Sequence, residues 1–219
     1  MNPRGIDISD QNSTINISAL PSDIAFVWMK TSEGETFQDP TFQNYYHEVK
    51  ALGNVMRGAY HFFIFEDEPI AQAKNFLSRG VDFTLPGVLP PMLDLENQST
   101  DAKDQWVKDN AAECVQKVTD WLNFVKQETG KDAIIYTYKN YLIEYLDSAS
   151  WPNNGLWLAA YQTNPPGLPP GYTTVNWWQY SQFGQLDGTT TGGSIDLDWF
   201  MGTQEELNAL ANMQPLAEG

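Results

Sequence analysis

The sequence predicts an α/β barrel in which eight strands alternate with about five helices and the last three strands follow one another directly. Three observations predict this class: short apolar runs alternate with helical patterns, these runs number eight, and the helical pattern stops after Tyr161. Such alternation is typical of βα units that form a parallel sheet. The predicted class is a TIM-like barrel of the form (β/α)5(β)3.

The strand candidates are apolar or β-branched runs bounded by turn-forming residues, and the helix candidates carry apolar residues three and four positions apart. After Tyr161 the connections "QTNPPGLPPGY" and "GQLDGTTTGG" are loops rich in Pro and Gly. The predicted strands are Gly5–Ser9, Ala25–Lys30, Met56–Phe62, Val88–Leu95, Ala133–Tyr138, Leu156–Tyr161, Val175–Tyr180 and Ser194–Phe200. The predicted helices are Ile15–Leu20, which is short, Pro40–Ala51, Ile70–Arg79, Ala102–Glu128 and Asn140–Leu146.

Length and charge limit the possible partners. The 219 residues fit one domain with a sizeable core. Lys and Arg number 12 against 28 Asp and Glu, and the net charge of −16 repels nucleic acid and anionic lipid. No apolar run approaches the roughly 20 residues of a membrane span, and the start "MNPRGIDISDQN" does not have the pattern of a signal peptide. We expect a monomer that binds no nucleic acid and does not insert into membranes.

The segment "PPMLDLEN" carries two acids, Asp94 and Glu96, at the end of a predicted strand. Side chains alternate along a strand, so both acids point the same way, with Cβ atoms about 6–7 Å apart. Burial and like charge raise the pKa of such a pair, which predicts a charged aspartate beside a protonated glutamic acid. This arrangement suits glycoside cleavage, with Glu96 as proton donor and Asp94 holding or polarising the attacking group. The alternative is that both acids accept backbone N–H groups in a turn.

Two further acids, Asp7 in "GIDIS" and Asp196 in "SIDLDWF", lie in the first and last predicted strands. These strands are neighbours in a closed barrel, so both acids are expected beside the first pair. Asp198 shares a face with Asp196, and the pattern leaves open which of them points inward. Four clustered acids are also compatible with a divalent metal site. The chain has two histidines and no evident grip for a phosphate, so we favour a site without metal or cofactor.

Each of the eight predicted strands carries a polar or aromatic side chain toward its end, and on the eighth strand this residue is Asp196. We expect all eight strands to end at one rim of the barrel. In such barrels the active site forms at the C-terminal ends of the strands. Tyrosine and tryptophan rings there would stack on a saccharide, but only one of Trp177 and Trp178 can face the cleft. His61 is also compatible with a buried wall position. The candidate substrate-binding residues are Lys30 and Glu33, a predicted ion pair, together with Tyr60, His61, Tyr136, Tyr161, Trp178 and Gln179.

The sequence resembles the family 25 glycoside hydrolases, the Chalaropsis-type lysozymes that include many phage endolysins. The resemblance rests on ordered blocks along nearly the whole chain. They are "RGIDIS" (4–9), "FVWMKTSEG" (26–34), "FQDPTF" (37–42), "RGAYHFF" (57–63), "PIAQAKNFL" (69–77), "PMLDLE" (91–96), "IIYTY" (134–138), "LWLAAYQ" (156–162), "WWQYSQFG" (177–184) and "IDLDWF" (195–200).

The resemblance implies hydrolysis of the β-1,4 bond between N-acetylmuramic acid and N-acetylglucosamine in peptidoglycan. By motif, Glu96 is implied as the proton donor and Asp94 as the partner of the substrate's own 2-acetamido group. Asp7 and Asp196 match the two supporting acids. This chemistry retains configuration without a covalent enzyme intermediate. The alternatives are a saccharide-binding barrel without catalysis and a metal-dependent hydrolase that uses the acid cluster.

The resemblance also carries expectations about organisation and place of action. We expect residues 1–219 to form a single catalytic domain with no separate cell-wall-binding module. Its partner would be the glycan strands of the bacterial cell wall. Because the chain has no signal peptide pattern, we expect synthesis in the cytoplasm and release by lysis, a holin or a dedicated secretion system, unless the chain is a mature secreted form.

Overall fold

The computed structural model describes residues 2–12, 15–146, 154–189 and 193–213. Within these ranges the chain forms nine strands of one sheet. The strands are β1 (Arg4–Ile8), β2 (Ile24–Glu33), β3 (Phe37–Gln38), β4 (Met56–Phe62), β5 (Met92–Asp94), β6 (Ile134–Tyr138), β7 (Leu156–Ala159), β8 (Trp177–Gly184) and β9 (Ile195–Phe200).

The sheet closes into a barrel of eight strands. Around the ring the order is β1, β9, β8, β7, β6, β5, β4 and β2, and β2 pairs with β1 to complete it. The short strand β3 lies outside the ring, antiparallel to β2. The predicted class, a TIM-like α/β barrel, is confirmed.

One strand of the ring runs against the others. β9 pairs antiparallel with β8 and β1, whereas the remaining ring strands pair in parallel. The expectation that all eight strands end at one rim is therefore wrong for β9. A parallel return needs a crossover of about a dozen residues or more, and only residues 185–194 separate β8 from β9. The N-terminal end of β9, which carries Asp196, consequently lies at the rim where the other strands end.

The helices pack outside the ring. No helix occurs among the described residues between β7 and β9, in agreement with the predicted succession of the last three strands. None of the helices in the described ranges is both long and apolar enough to span a bilayer. The helices are α1 (Phe42–Leu52), α2 (Pro69–Leu77), α3 (Asp101–Asp109), α4 (Ala111–Thr129), α5 (Lys139–Glu144) and α6 (Gln204–Leu210), with a 3₁₀ turn at Ile17–Ala19.

Two helical segments differ from the prediction. The single helix expected over Ala102–Glu128 is broken at Asn110, whose side-chain amide donates to the Trp106 carbonyl oxygen (2.8 Å) and whose φ and ψ are −118° and 28°. Asparagine forms such local bonds in competition with helix continuation. Helix α6 was not predicted, although "TQEE" holds a capping box in which Thr203 and Glu206 bond reciprocally to each other's backbone N–H.

Aromatic side chains fill the inside of the barrel. The Trp28 ring lies 5.2 Å from that of Trp157 and 5.9 Å from that of Trp177, and Trp177 contacts Phe200 at 4.8 Å between ring centroids. All four side chains are buried. The alternate residues of the strands face outward and pack against the helices, as the two-residue period of a strand requires. A rigid aromatic layer therefore supports the rim from below.

Two glycines make room for this layer. A Cβ atom at Gly5 would overlap the ring of Phe26, and one at Gly58 would overlap the ring of Trp28. Gly58 is the register partner of Trp28 on the neighbouring strand. The large rings thus fit inside the barrel only where the adjacent strand has no side chain.

We expect Gly58→Ala to destabilise the fold by about 1–3 kcal/mol, because the added methyl group forces Trp28 out of its packed position. Urea unfolding measures the change. The matched control is Gly167→Ala, in a loop, where the nearest atom to the new Cβ is Lys139 Nζ at 3.7 Å. Equal unfolding midpoints for the two variants would contradict the packing argument.

Candidate active site

A cavity of about 390 Å³ opens at the rim where the parallel strands end and β9 begins. Ten of the twelve residues that the sequence nominated line it, including all four predicted acids. The lining residues are Asp7, Ser9, Gln11, Lys30, Glu33, Tyr60, Phe62, Met92, Asp94, Glu96, Tyr136, Trp157, Tyr161, Gln179, Gln182 and Asp196.

Asp94 and Glu96 lie side by side on the cavity wall. Asp94 is the last residue of β5, and Glu96 follows it in the loop, while the intervening Leu95 is fully buried in the core. The strand alternation continues past the end of β5, because the Leu95 backbone N–H donates to the Tyr136 carbonyl oxygen at 2.9 Å. Asp94 Oδ1 is buried and has no hydrogen-bond partner among the described residues. This oxygen does not cap a backbone group and is free to accept a bond from a ligand.

The pKa values of this acid pair are raised. Burial, followed by the neighbouring Glu96, raises the pKa of Asp94 well above its ordinary value. Burial raises the pKa of Glu96 to about 7, against the opposing effect of the positive Lys30. A carboxylic acid therefore persists in the cavity at pH values where an exposed carboxyl group is fully ionised.

Lys30 brings a positive charge to this wall. Its ammonium group forms an ion pair with Glu33 (Nζ to Oε2, 2.6 Å), as the sequence predicted. The ammonium also lies 5.6 Å from the centre of the Phe37 ring and 5.0 Å from that of Phe62. Lys30 is 7% exposed, so its charge is little screened by solvent and favours ionisation of the nearby acids.

Asp7 and Asp196 form the opposite wall. They are register partners on β1 and β9. Burial first, and then the charge of Asp196, raises the pKa of Asp7. Burial likewise raises the pKa of Asp196 to about 6, although a hydrogen bond with Asp7 lowers it.

Gln179 connects this wall to two tyrosines. The hydroxyl groups of Tyr136 and Tyr161 both donate to Gln179 Oε1, at 2.8 and 2.9 Å. Gln179 Nε2 donates in turn to Asp7 Oδ2 at 2.8 Å. The amide of Gln179 is thus hydrogen-bonded within the rim, although the residue also lines the cavity.

His61 does not line the cavity and has no exposed surface that a substrate could contact. It follows Tyr60 on β4, and neighbouring residues of a strand face opposite sides. The ring is fully buried, bonded through Nδ1 to Ser32 Oγ (2.8 Å) and through Nε2 to Gln72 Oε1 (3.2 Å). Burial lowers the pKa of His61 to about 3, so the ring is neutral. His61 therefore occupies a buried position in the barrel wall.

Trp178 also lies outside the cavity. Gln179 and Trp177 face the inside of the barrel, so Trp178 between them faces outward. Its indole N–H donates to the Ala160 carbonyl oxygen at 2.8 Å, and its ring lies 5.8 Å from that of Tyr180. The expectation that Trp178 stacks on a saccharide is therefore not supported by its position.

Several lining residues were missed, and for four of them the sequence held a signal. Each shares a strand face with a nominated residue two or four positions away, so the two-residue period could have identified Ser9, Phe62, Met92 and Trp157. No such signal exists for Gln11, which lies beyond β1, or for Gln182, where the pairing of β8 with β9 is irregular.

Comparison with known proteins places the chain among glycoside hydrolases. The sequence model of Glycosyl hydrolases family 25 matches residues 6–189. The chain is 31% identical over 205 residues to an N,O-diacetylmuramidase of Chalaropsis sp, covering 88% of this chain and 95% of that protein. It is 33% identical over 193 residues to the protein YegX of Escherichia coli O157:H7, covering 86% and 64% of the two chains. The bacterial lysozyme from Streptomyces coelicolor has a similar structure, with a TM-score of 0.87, 29% identity and coverage of 97% and 98%.

The chain therefore belongs to Glycosyl hydrolases family 25, since the family match extends over most of its length. The resemblance drawn from the sequence blocks is confirmed, as is the barrel fold. The chain spans 64% of the length of the Escherichia coli relative, which is the longer protein.

We expect the Glu96 carboxyl group to titrate at about pH 7, and Lys30→Met to move its pKa further upward, because removal of a nearby cation disfavours the anion. Carbon-13 NMR of the glutamate carboxyl groups follows this titration. The control is Lys103→Met, which removes a cation paired with Glu66 (2.7 Å) and should leave the Glu96 titration unchanged. A downward shift in Lys30→Met would contradict the described electrostatics.

Proposed function

We propose that the chain is a muramidase that hydrolyses the β-1,4 bond between N-acetylmuramic acid and N-acetylglucosamine in peptidoglycan. The observation that carries the proposal is the pair Asp94 and Glu96 on one cavity wall, both with raised pKa values. Membership of family 25 and the similarity to proteins named lysozyme and N,O-diacetylmuramidase support the same bond as target.

Glu96 acts as the proton donor. Its pKa of about 7 leaves a substantial fraction protonated near neutral pH, and a general acid works best when its pKa is close to the working pH. It lies in the loop beyond β5, partly exposed at the cavity wall, within reach of a glycosidic oxygen that enters from solvent. The proton passes to this oxygen as the bond from the anomeric carbon breaks.

Asp94 acts on the substrate's 2-acetamido group. The unpartnered Asp94 Oδ1 accepts the acetamido N–H and orients the acetamido carbonyl oxygen toward the anomeric carbon. That oxygen forms a bond to the anomeric carbon while the leaving group departs with the proton of Glu96. Water then attacks the same carbon, the Glu96 carboxylate takes its proton, and the acetamido group is restored. Two displacements at one carbon retain its configuration.

The opposite wall stabilises the positive charge that develops on the sugar. Asp7 and Asp196 are the acids on that side, and the bond from Gln179 fixes the orientation of Asp7. Tyr161, which is 51% exposed, offers a ring face to a saccharide, and Tyr60, Tyr136, Lys30 and Glu33 complete the binding surface.

The alternatives are separable by experiment. Among the described residues, no group of three or more His, Cys, Asp or Glu side chains is arranged to hold a metal ion, and a metal-dependent hydrolase would lose activity in excess EDTA. A binding barrel without catalysis would leave cell walls intact. We further propose that the chain works as a monomeric catalytic domain on the bacterial cell wall.

We expect Glu96→Gln to lower the rate of clearing of purified bacterial cell walls by about 10²–10⁴-fold, because the amide group of glutamine is not acidic enough to protonate the leaving oxygen. Turbidity measures the rate. The control is Glu128→Gln, an exposed position on α4. If Glu96→Gln remains folded and clears walls at the normal rate, the assignment of the proton donor is wrong.

Analysis of the products tests which bond is cleaved and with what stereochemistry. Mass spectrometry of the soluble muropeptides is expected to find muramic acid at the reducing end, and proton NMR of fresh product is expected to find the β-anomer first. Glucosamine at the reducing end would refute the bond assignment. Initial formation of the α-anomer would refute the participation of the acetamido group.

A further inference from the structure

Asp198 is a buried acid beneath the cavity that the proposed mechanism does not use. It lies two residues after Asp196 on β9 and shares its face, but it is fully buried and does not line the cavity. Its register partners are Gly5 on β1, which has no side chain, and Gln179 on β8. Asp198 is therefore enclosed between the aromatic interior of the barrel and the acids of the rim.

The hydrogen bonds of Asp198 require a proton. The indole N–H of Trp157 donates to Asp198 Oδ1 at 3.1 Å. If both Asp198 and Asp7 were ionised, Asp198 Oδ2 would have no donor among the described residues. A side-chain hydrogen bond joins Asp198 to Asp7 when one of the two carries a proton.

The charges around Asp198 place that proton on Asp198 itself. The titratable groups that face it are Asp7 from β1 and Asp196 from its own strand, while β7 and β8 contribute the uncharged Trp157 and Gln179. Burial, then the two neighbouring acids, raises the pKa of Asp198 well above its ordinary value. A buried anion whose only charged neighbours are other acids is strongly disfavoured, so the neutral acid is the stable form.

We propose that Asp198 is a positioning residue, a neutral carboxylic acid that donates its proton in a hydrogen bond to Asp7. Gln179 Nε2 is the second donor to the same carboxyl group. Two donors fix the orientation of Asp7 and favour its ionised form despite its burial. Trp157 donates a hydrogen bond to Asp198, and Asp198 donates one to Asp7. Asp198 therefore connects Trp157 to Asp7 through two consecutive hydrogen bonds.

The consequence for activity rests on the proposed function, in which ionised Asp7 stabilises positive charge on the sugar. Loss of the donor at Asp198 removes an interaction made by the Asp7 anion, and the pKa of Asp7 rises. The fraction of ionised Asp7 at a given acidic pH then falls, so the acidic limb of the pH profile moves to higher pH.

Two substitutions distinguish hydrogen-bond donation by Asp198 from a role in packing alone. Asp198→Asn keeps an N–H for Asp7 and an oxygen for Trp157, and we expect kcat/KM within about threefold of the original with an unchanged acidic limb. Asp198→Ala removes both bonds, and we expect kcat/KM to fall about 10- to 100-fold with the acidic limb at higher pH. Folding of each variant is checked by circular dichroism. Equal loss of activity in both, or the same acidic limb in both, would overturn the proposal.

Infrared difference spectroscopy tests the protonation state without reference to activity. At neutral pH, subtraction of the Asp198→Asn spectrum from the original is expected to reveal the carbonyl band of a neutral carboxylic acid. The control, Asp109→Asn at an exposed position on α3, should instead reveal a carboxylate band. If Asp198→Asn does not fold, Asp198→Ser, which also retains a donor, replaces it. A carboxylate band for Asp198 would refute the inference even if the chain proved to cleave another bond.

Discussion

The constraint on which the site depends is the burial of several carboxyl groups in one cavity. Asp7, Asp94, Glu96 and Asp196 all line it, and burial is the first cause of the raised pKa in each. Carboxyl groups that share one cavity of low polarity cannot all be ionised, because their negative charges repel one another. The cavity therefore holds protons at neutral pH, which is the property that a glycosidase needs on one side of its substrate and must avoid on the other.

The two walls are distinguished by what lies beside the acids. Asp94 and Glu96 lie near the ammonium group of Lys30, which lowers the pKa of both. Asp7 instead accepts a hydrogen bond from the neutral amide of Gln179, which is itself held in place by two tyrosine hydroxyl groups. A cation thus favours ionisation of the acids on one wall, whereas a neutral donor orients Asp7 on the other. Together these arrangements allow neighbouring carboxyl groups to have different functions.

The barrel makes this arrangement possible through features that are distant in sequence. The antiparallel course of β9 places Asp196 beside Asp7 on the neighbouring strand, and it places Asp198 one layer below them. The aromatic rings of Trp28, Trp157 and Trp177 form a buried layer beneath these acids. That layer is rigid because it is closely packed, and its low polarity produces the pKa shifts that the site requires.

The sequence by itself determined the class of fold and most of the cavity lining. The two-residue period of a strand is local, so the common face of Asp94 and Glu96 was legible in "LDLE", and the number of runs indicated closure of the ring. Only the tertiary structure decided the direction of β9, the outward position of His61 and Trp178, and the enclosure of Asp198. These outcomes depend on which strands pair and on what covers each face, and both are set by contacts between residues far apart in the chain. Burial, and with it the pKa of each acid, is likewise a property of the assembled barrel and not of any one segment.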